Sequence, residues 1–196
     1  IHRPGAVQAD VRLGRFGVDR RHPDYSALRL GNFVLGGGFL SRLNRVLREE
    51  RGYTYGVQLV NTPARSGGLL ALHASFRTEV AVDAVVEAYD LLRVDGDRGI
   101  TAAELADAAS FLVGITPLRC ATASGIGDQV AALVEAGLPT DFVNTHIADL
   151  RRVTPEQATE AVARHLPLDD LTLVVVGDAE MLADPLRAAG VDVDLA

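Results

Sequence analysis

Lysine is missing from this chain: all 19 basic residues are arginine. Arginines dispersed through acidic surroundings form solvated faces, so the bias reflects composition more than mechanism. Against them stand 26 acidic residues, for a net charge of −7. That balance excludes the basic stripe with which proteins neutralise nucleic-acid phosphates, and no nucleic-acid partner is expected. Cys120 is the single cysteine. No intramolecular disulfide can form, a reducing compartment fits the sequence, and a cytoplasmic location is the default expectation. No apolar run approaches the roughly 20 residues of a membrane-spanning helix, so no membrane association is expected. The chain opens at Ile1 and its one methionine is Met181, so a segment preceding Ile1 is expected in the translation product.

Metal motifs are lacking as well. His2, His22, His73, His146 and His165 are widely dispersed, and none belongs to His-x-x-Glu-His or its reverse. No metal site or bound cofactor is expected from this chain alone. His73 reads as a strand residue, and His165 ends a helix, where a cation suits the dipole. Cys120 reads as an inert, buried thiol, since a nucleophile needs a positioned base. Gly36-Gly37-Gly38 resembles a phosphate cradle only superficially, because it follows a helix and no Gly-Lys-Ser/Thr is present. Asp169, Asp170 and Asp178 flank the last strand and read as turn and cap residues.

What is present describes a folded domain. Its 196 residues are 48% hydrophobic and 23% charged, enough to bury one core, and residues 1–196 read as a single domain. Val7, Ala9, Val11 and Leu13 alternate with polar residues, which predicts a half-buried strand. His22-Pro23-Asp24 offers Asp24 as the N-cap of a helix to about Leu35, ended by the glycine run through a left-handed conformation. Ser41 caps a second helix with Leu40, Leu43 and Leu47 on one face, and Gly52 ends it. Tyr55, Val57 and Leu59 then alternate in a strand. Across a turn at 63–68 it pairs with a strand whose inner face is Leu70, Leu72, Ala74 and Phe76. Helices follow: one presenting Val82, Val85, Val86, Tyr89 and Leu92, one opened by the capping box Thr101/Glu104, one at about 124–136 and one at about 141–151. A further helix is opened by Thr154-Pro155-Glu156-Gln157. Leu171 to Val176 reads as a central strand buried on both faces. The order predicts an α+β fold, a two-layer sandwich of a mostly antiparallel sheet packed with helices.

Arg48 and Tyr55 admit two readings. In one, Arg48 is a surface residue of a charge-rich helix and Tyr55 a core residue on the Val57/Leu59 face. In the other, the turn at Gly52 brings both tips to one edge of the domain. There an arginine fork can bind peptide carbonyls and a phenol can donate to a developing oxyanion. Burial of both tips would favour a generic interaction domain instead.

The residues Leu35-Gly36-Gly37-Gly38 with Ser41-Arg42-Leu43, then Arg48 through Gly52 to Tyr55, carry a resemblance. So, in order, do Thr101-x-x-Glu104-Leu105, Thr154-Pro155-Glu156 and Val174-Val175-Val176-Gly177-Asp178. Together they resemble the C-terminal homologous domain of pitrilysin/insulinase-type zinc peptidases, the inverzincins, whose fold is that of mitochondrial-processing-peptidase-like metallohydrolases. Tyr53 stands where that family more often has leucine. The resemblance implies a domain without the zinc motif, the substrate-clamping half of a metalloendopeptidase subunit. Zinc is then expected in a homologous N-terminal domain or partner subunit, a peptide is the substrate, and the complete protein is expected to form a homo- or hetero-dimer. By resemblance Arg48 and Tyr55 bind substrate and stabilise the oxyanion, and the isolated chain is expected to be inactive. The alternative is a non-catalytic assembly or scaffold subunit paired with a zinc-bearing partner.

Overall fold

The computed structural model describes residues 1–195. Its centre is a four-stranded sheet in the order β2-β3-β1-β4, built from β1 (Gln8–Gly17), β2 (Val57–Pro63), β3 (Gly68–Arg77) and β4 (Thr172–Val176). Every neighbouring pair is antiparallel. The alternation seen in the sequence decides which face is dry. Ala9, Val11 and Leu13 of β1, Val57 and Leu59 of β2, and Leu70, Leu72, Ala74 and Phe76 of β3 point into the core. Gln8, Asp10, Arg12, Gln58 and Ser75 stay on the solvated face. Seven α-helices are found among the described residues: α1 (Tyr25–Asn32), α2 (Ala81–Leu91), α3 (Ala102–Arg119), α4 (Ala123–Glu135), α5 (Phe142–Leu150), α6 (Pro155–His165) and α7 (Ala179–Ala188). Leu28 and Leu30 of α1, Leu105 and Leu112 of α3, Val162 of α6 and Leu186 of α7 join the sheet's inner face in one core. The expected α+β sandwich is the fold observed.

Local signals held where the side chain itself makes the bond. Thr101 and Glu104 form a reciprocal capping box at α3, and Thr154 and Gln157 form another at α6 with Pro155 in its first turn. Asp178 caps α7 by accepting from the Glu180 amide at 3.1 Å. Asp24 occupies the N-cap position of α1 as expected, but its carboxylate turns to Arg164 and His165 and makes no capping bond.

The glycine run departs from expectation. α1 passes into a π-helical turn, Phe33–Gly37, and Gly38 is extended at φ −92°, so no left-handed glycine ends this helix. Gly36 is needed for close approach. A Cβ there would lie 2.7 Å from Leu59 Cβ and 2.8 Å from Leu43 Cδ1. Gly36→Ala should therefore destabilise the fold by about 1–3 kcal/mol, read as a lower urea midpoint at unchanged slope.

Other faces rotate relative to the sequence reading. Leu43 and Leu47 are buried, but Leu40 lies in the preceding loop and is exposed. β1 runs on to Gly17, and Val7, outside it, is exposed. α2 buries Ala81, Ala84, Val85 and Ala88 and leaves Val86 exposed, because small residues let the helix approach closely. β4 is an edge strand, not a central one. One flank pairs with β1; among the described residues the other hydrogen-bonds to the Ile1–Arg3 segment at Val175 and Gly177, and Val174 is exposed. One further expectation needs qualifying: Gly96–Arg119, which contains α3, is long and apolar enough to cross a membrane by length and composition. In this fold α3 packs Leu105, Ala108 and Leu112 into the core.

Candidate functional site

A second π-helical segment, Asn44–Glu50, sets the position of Arg48. Leu47 anchors the segment in the core, and Arg48 follows it with its side chain 15% exposed. The guanidinium lies 3.7 Å from the centre of the Phe39 ring, a cation–π contact. Nη2 donates to the Phe39 carbonyl at 3.2 Å and Nε to Glu49 Oε1 at 2.8 Å. The side chain is therefore pre-oriented, and Nη1 has no hydrogen-bond partner among the described residues.

After Glu50 the chain reverses. Gly52 adopts φ +63°, which costs a glycine nothing, and the Tyr53 amide returns to the Leu47 carbonyl at 2.9 Å. Thr54 then fixes the bend by donating to the Gly56 carbonyl at 3.1 Å. Tyr55 sits at the tip of this bend, before β2 begins. It is 99% exposed, which overturns its reading as a core residue on the Val57/Leu59 face. A rotation of the backbone at the bend breaks the alternation that the sequence suggested.

Arg48 and Tyr55 line one open hollow of about 680 Å³, together with Phe39, Gln58, Arg12 and His73. Burial and the nearby Arg12 charge push the His73 imidazole below its usual range, so that ring is neutral at physiological pH. His73 is the one lining side chain of a type that ligates zinc, and no carboxylate lines the hollow. Those residues do not fit a metal ion. They fit an extended peptide, whose carbonyls can accept from arginine, glutamine and phenol.

Asn44 is the site residue that sequence reasoning missed. Buried, it donates through Nδ2 to the carbonyls of Gly38 and Val57, each at 2.9 Å, and accepts from the Val57 amide at 2.8 Å. One side chain thus ties the glycine run, the π-helical segment and the start of β2 together. The only signal in the sequence was a polar residue between Leu43 and Leu47. Another assembly lies elsewhere: His22, Asp24 and His165 converge, although no spacing in the sequence suggested a metal-binding group.

The family described as "Peptidase M16 inactive domain" matches residues 1–112. The chain belongs to that family. This bears out the resemblance to the zinc-motif-free domain of the pitrilysin/insulinase type. The M16 inactive domain described here superimposes on the crystal structure of a peptidase M16 inactive domain from Pseudomonas fluorescens with a TM-score of 0.81 at 32% identity, over 91% of this chain and 42% of that one. A protease structure from Helicobacter pylori shares the fold at TM-score 0.77 and 17% identity, over 90% of this chain and 43% of that one. In sequence, the domain is 26% identical over 172 residues to a non-peptidase homolog of Helicobacter pylori, covering 87% of this chain and 40% of that protein. An uncharacterized zinc protease of Streptomyces coelicolor is 29% identical over 170 residues, covering 87% and 37%. The chain thus spans about 40% of the length of the curated relatives it matches.

Proposed function

We propose that this M16 inactive domain is the substrate-clamping half of a zinc metalloendopeptidase. The zinc and its general base would come from a homologous domain or partner subunit that closes over the hollow. The observation that carries this reading is the pairing of a pre-oriented arginine and a free, fully exposed tyrosine on one peptide-sized hollow that holds no metal-ligand set. In it a substrate lies extended across the sheet's solvated face. The free Nη1 of Arg48 donates to a substrate carbonyl, and the Tyr55 hydroxyl donates to the oxygen that gains charge when water attacks the scissile carbonyl. The zinc, when present in its own domain, supplies the activated water; the residues here bind, orient and donate.

The test joins this domain to a zinc-bearing half and measures peptide hydrolysis. Arg48→Ala should raise KM by roughly 10-fold or more with a smaller change in kcat, because the contact is made in ground and transition states alike. An unchanged KM would remove Arg48 from the substrate site. The second reading is a non-catalytic assembly subunit, favoured by the name of the Helicobacter pylori relative, a non-peptidase homolog. It expects a stable complex with the zinc-bearing half whose turnover is indifferent to both Arg48 and Tyr55.

A further inference from the structure

The loop before α1 and the end of α6 meet at a cluster that the substrate-clamping role leaves unused. His22 and Asp24 lie in the turn that opens α1, and His165 is the last residue of α6. One ligand-capable atom from each of the three side chains lies within 4.8 Å of the other two. Asp24 Oδ2 lies 2.8 Å from His165 Nε2 and 2.7 Å from the Arg164 guanidinium, which donates to it. His22 Nδ1 accepts from the Asp24 amide at 3.1 Å, and the two imidazoles meet edge to face with centroids 4.9 Å apart. Among the described residues each member keeps one polar atom without a hydrogen bond: Nε2 of His22, Oδ1 of Asp24 and Nδ1 of His165.

We propose that His22, Asp24 and His165 bind a divalent first-row transition-metal ion of the zinc class, at a site separate from the peptide-binding hollow. Two imidazoles and a carboxylate are the mixed nitrogen and oxygen donors that zinc, cobalt and nickel accept, with water completing the coordination. At metal–ligand bonds of about 2.0–2.2 Å, donors of a tetrahedral site sit roughly 3.4 Å apart, so only small side-chain rotations separate this cluster from a bound geometry. His22 is only partly buried, so it can release its backbone bond. Arg164 is the competitor: its side chain is 61% exposed, so it can leave Asp24 for solvent when the ion arrives. Both rings ligate as neutral imidazole, and any imidazolium proton passes to solvent. His146, which lines the same polar hollow as His22 and Asp24, takes no part. Its Nδ1 is occupied by Ser26 Oγ at 3.0 Å and its Nε2 by Arg29 at 2.9 Å. The bound ion would fasten the entry of α1 to the exit of α6.

The test titrates Co²⁺ into the full 196-residue chain, following its visible absorption, and repeats the titration with Zn²⁺ by calorimetry and thermal melting. One equivalent should bind, and the melting midpoint should rise with free zinc. His22→Gln and His165→Gln should each weaken binding by more than the roughly 10–100-fold that loss of an outer-shell partner costs. Arg164→Ala should tighten it by freeing Asp24, whereas His73→Gln should leave it unchanged. No cobalt spectrum, or an affinity that His22→Gln and His165→Gln leave untouched, overturns the proposal. His22 lies in the turn ahead of α1 and is only partly buried, so its variant keeps the fold and decides the matter even if His165→Gln does not fold.

Discussion

Replacing Tyr55 by phenylalanine should lower kcat of the assembled peptidase by roughly 10²–10³-fold, the loss expected when one oxyanion donor is removed. The substitution deletes one oxygen from a residue that is 99% exposed and packs into nothing, so the unfolding midpoint should not move. KM should change little, because the hydroxyl's bond strengthens only as charge develops on the carbonyl oxygen. That split distinguishes Tyr55 from Arg48, whose contact is expected to act mainly through KM. Steady-state kinetics on the reconstituted enzyme give both constants. Full turnover in Tyr55→Phe would remove the oxyanion role and leave the assembly reading standing.

Glu104→Ala should cost about 2–3 kcal/mol of stability in urea unfolding at neutral pH. Glu104 closes the capping box of α3 and also receives Arg42, through Nε at 2.7 Å and Nη2 at 2.8 Å. Arg42 in turn donates to the carbonyls of Arg98 and Gly99 at 2.7 and 2.8 Å, so one fork joins the Ser-Arg-Leu block to the start of α3. Removing the carboxylate leaves a largely covered guanidinium, 16% exposed, without its counter-charge. The Arg42 hydrogen bonds outweigh partial burial and hold the Glu104 carboxyl at about 2, against an ordinary 4.5. A carboxyl depressed in the folded state stabilises above its unfolded pKa and loses that contribution as pH falls through the folded one. The gap between wild type and Glu104→Ala should therefore be full above about pH 4.5 and shrink toward pH 2. Urea midpoints across that window check it, and a gap that persisted at the acid end would show that the ion pair contributes little.

How far the sequence reached depends on the range of the force involved. The capping boxes at Thr101 and Thr154 and the core faces of β1 and β3 were legible because each is settled by residues two to four positions apart. The family resemblance was legible for a related reason: the glycine run, the Ser-Arg-Leu block and the Gly52 turn are local backbone requirements written in residue types. Tyr55 was not, because alternation cannot report where a strand starts, and the bend held by Thr54 lies just ahead of β2. The apolar run at Leu171 to Val176 could not say whether its far flank was covered; chain topology leaves it at the edge.

By itself, then, the sequence determined an α+β sandwich without the zinc motif and named Arg48 and Tyr55 as the residues to watch. Only the tertiary structure decided that both open onto one hollow, that Asn44 holds the segments framing it, and that Arg42 reaches Glu104. It alone joined Asp24 to His165 across 141 residues. Local periodicity sets which face of an element is apolar, but contacts between distant side chains depend on how faces are stacked, and no spacing along the chain encodes that.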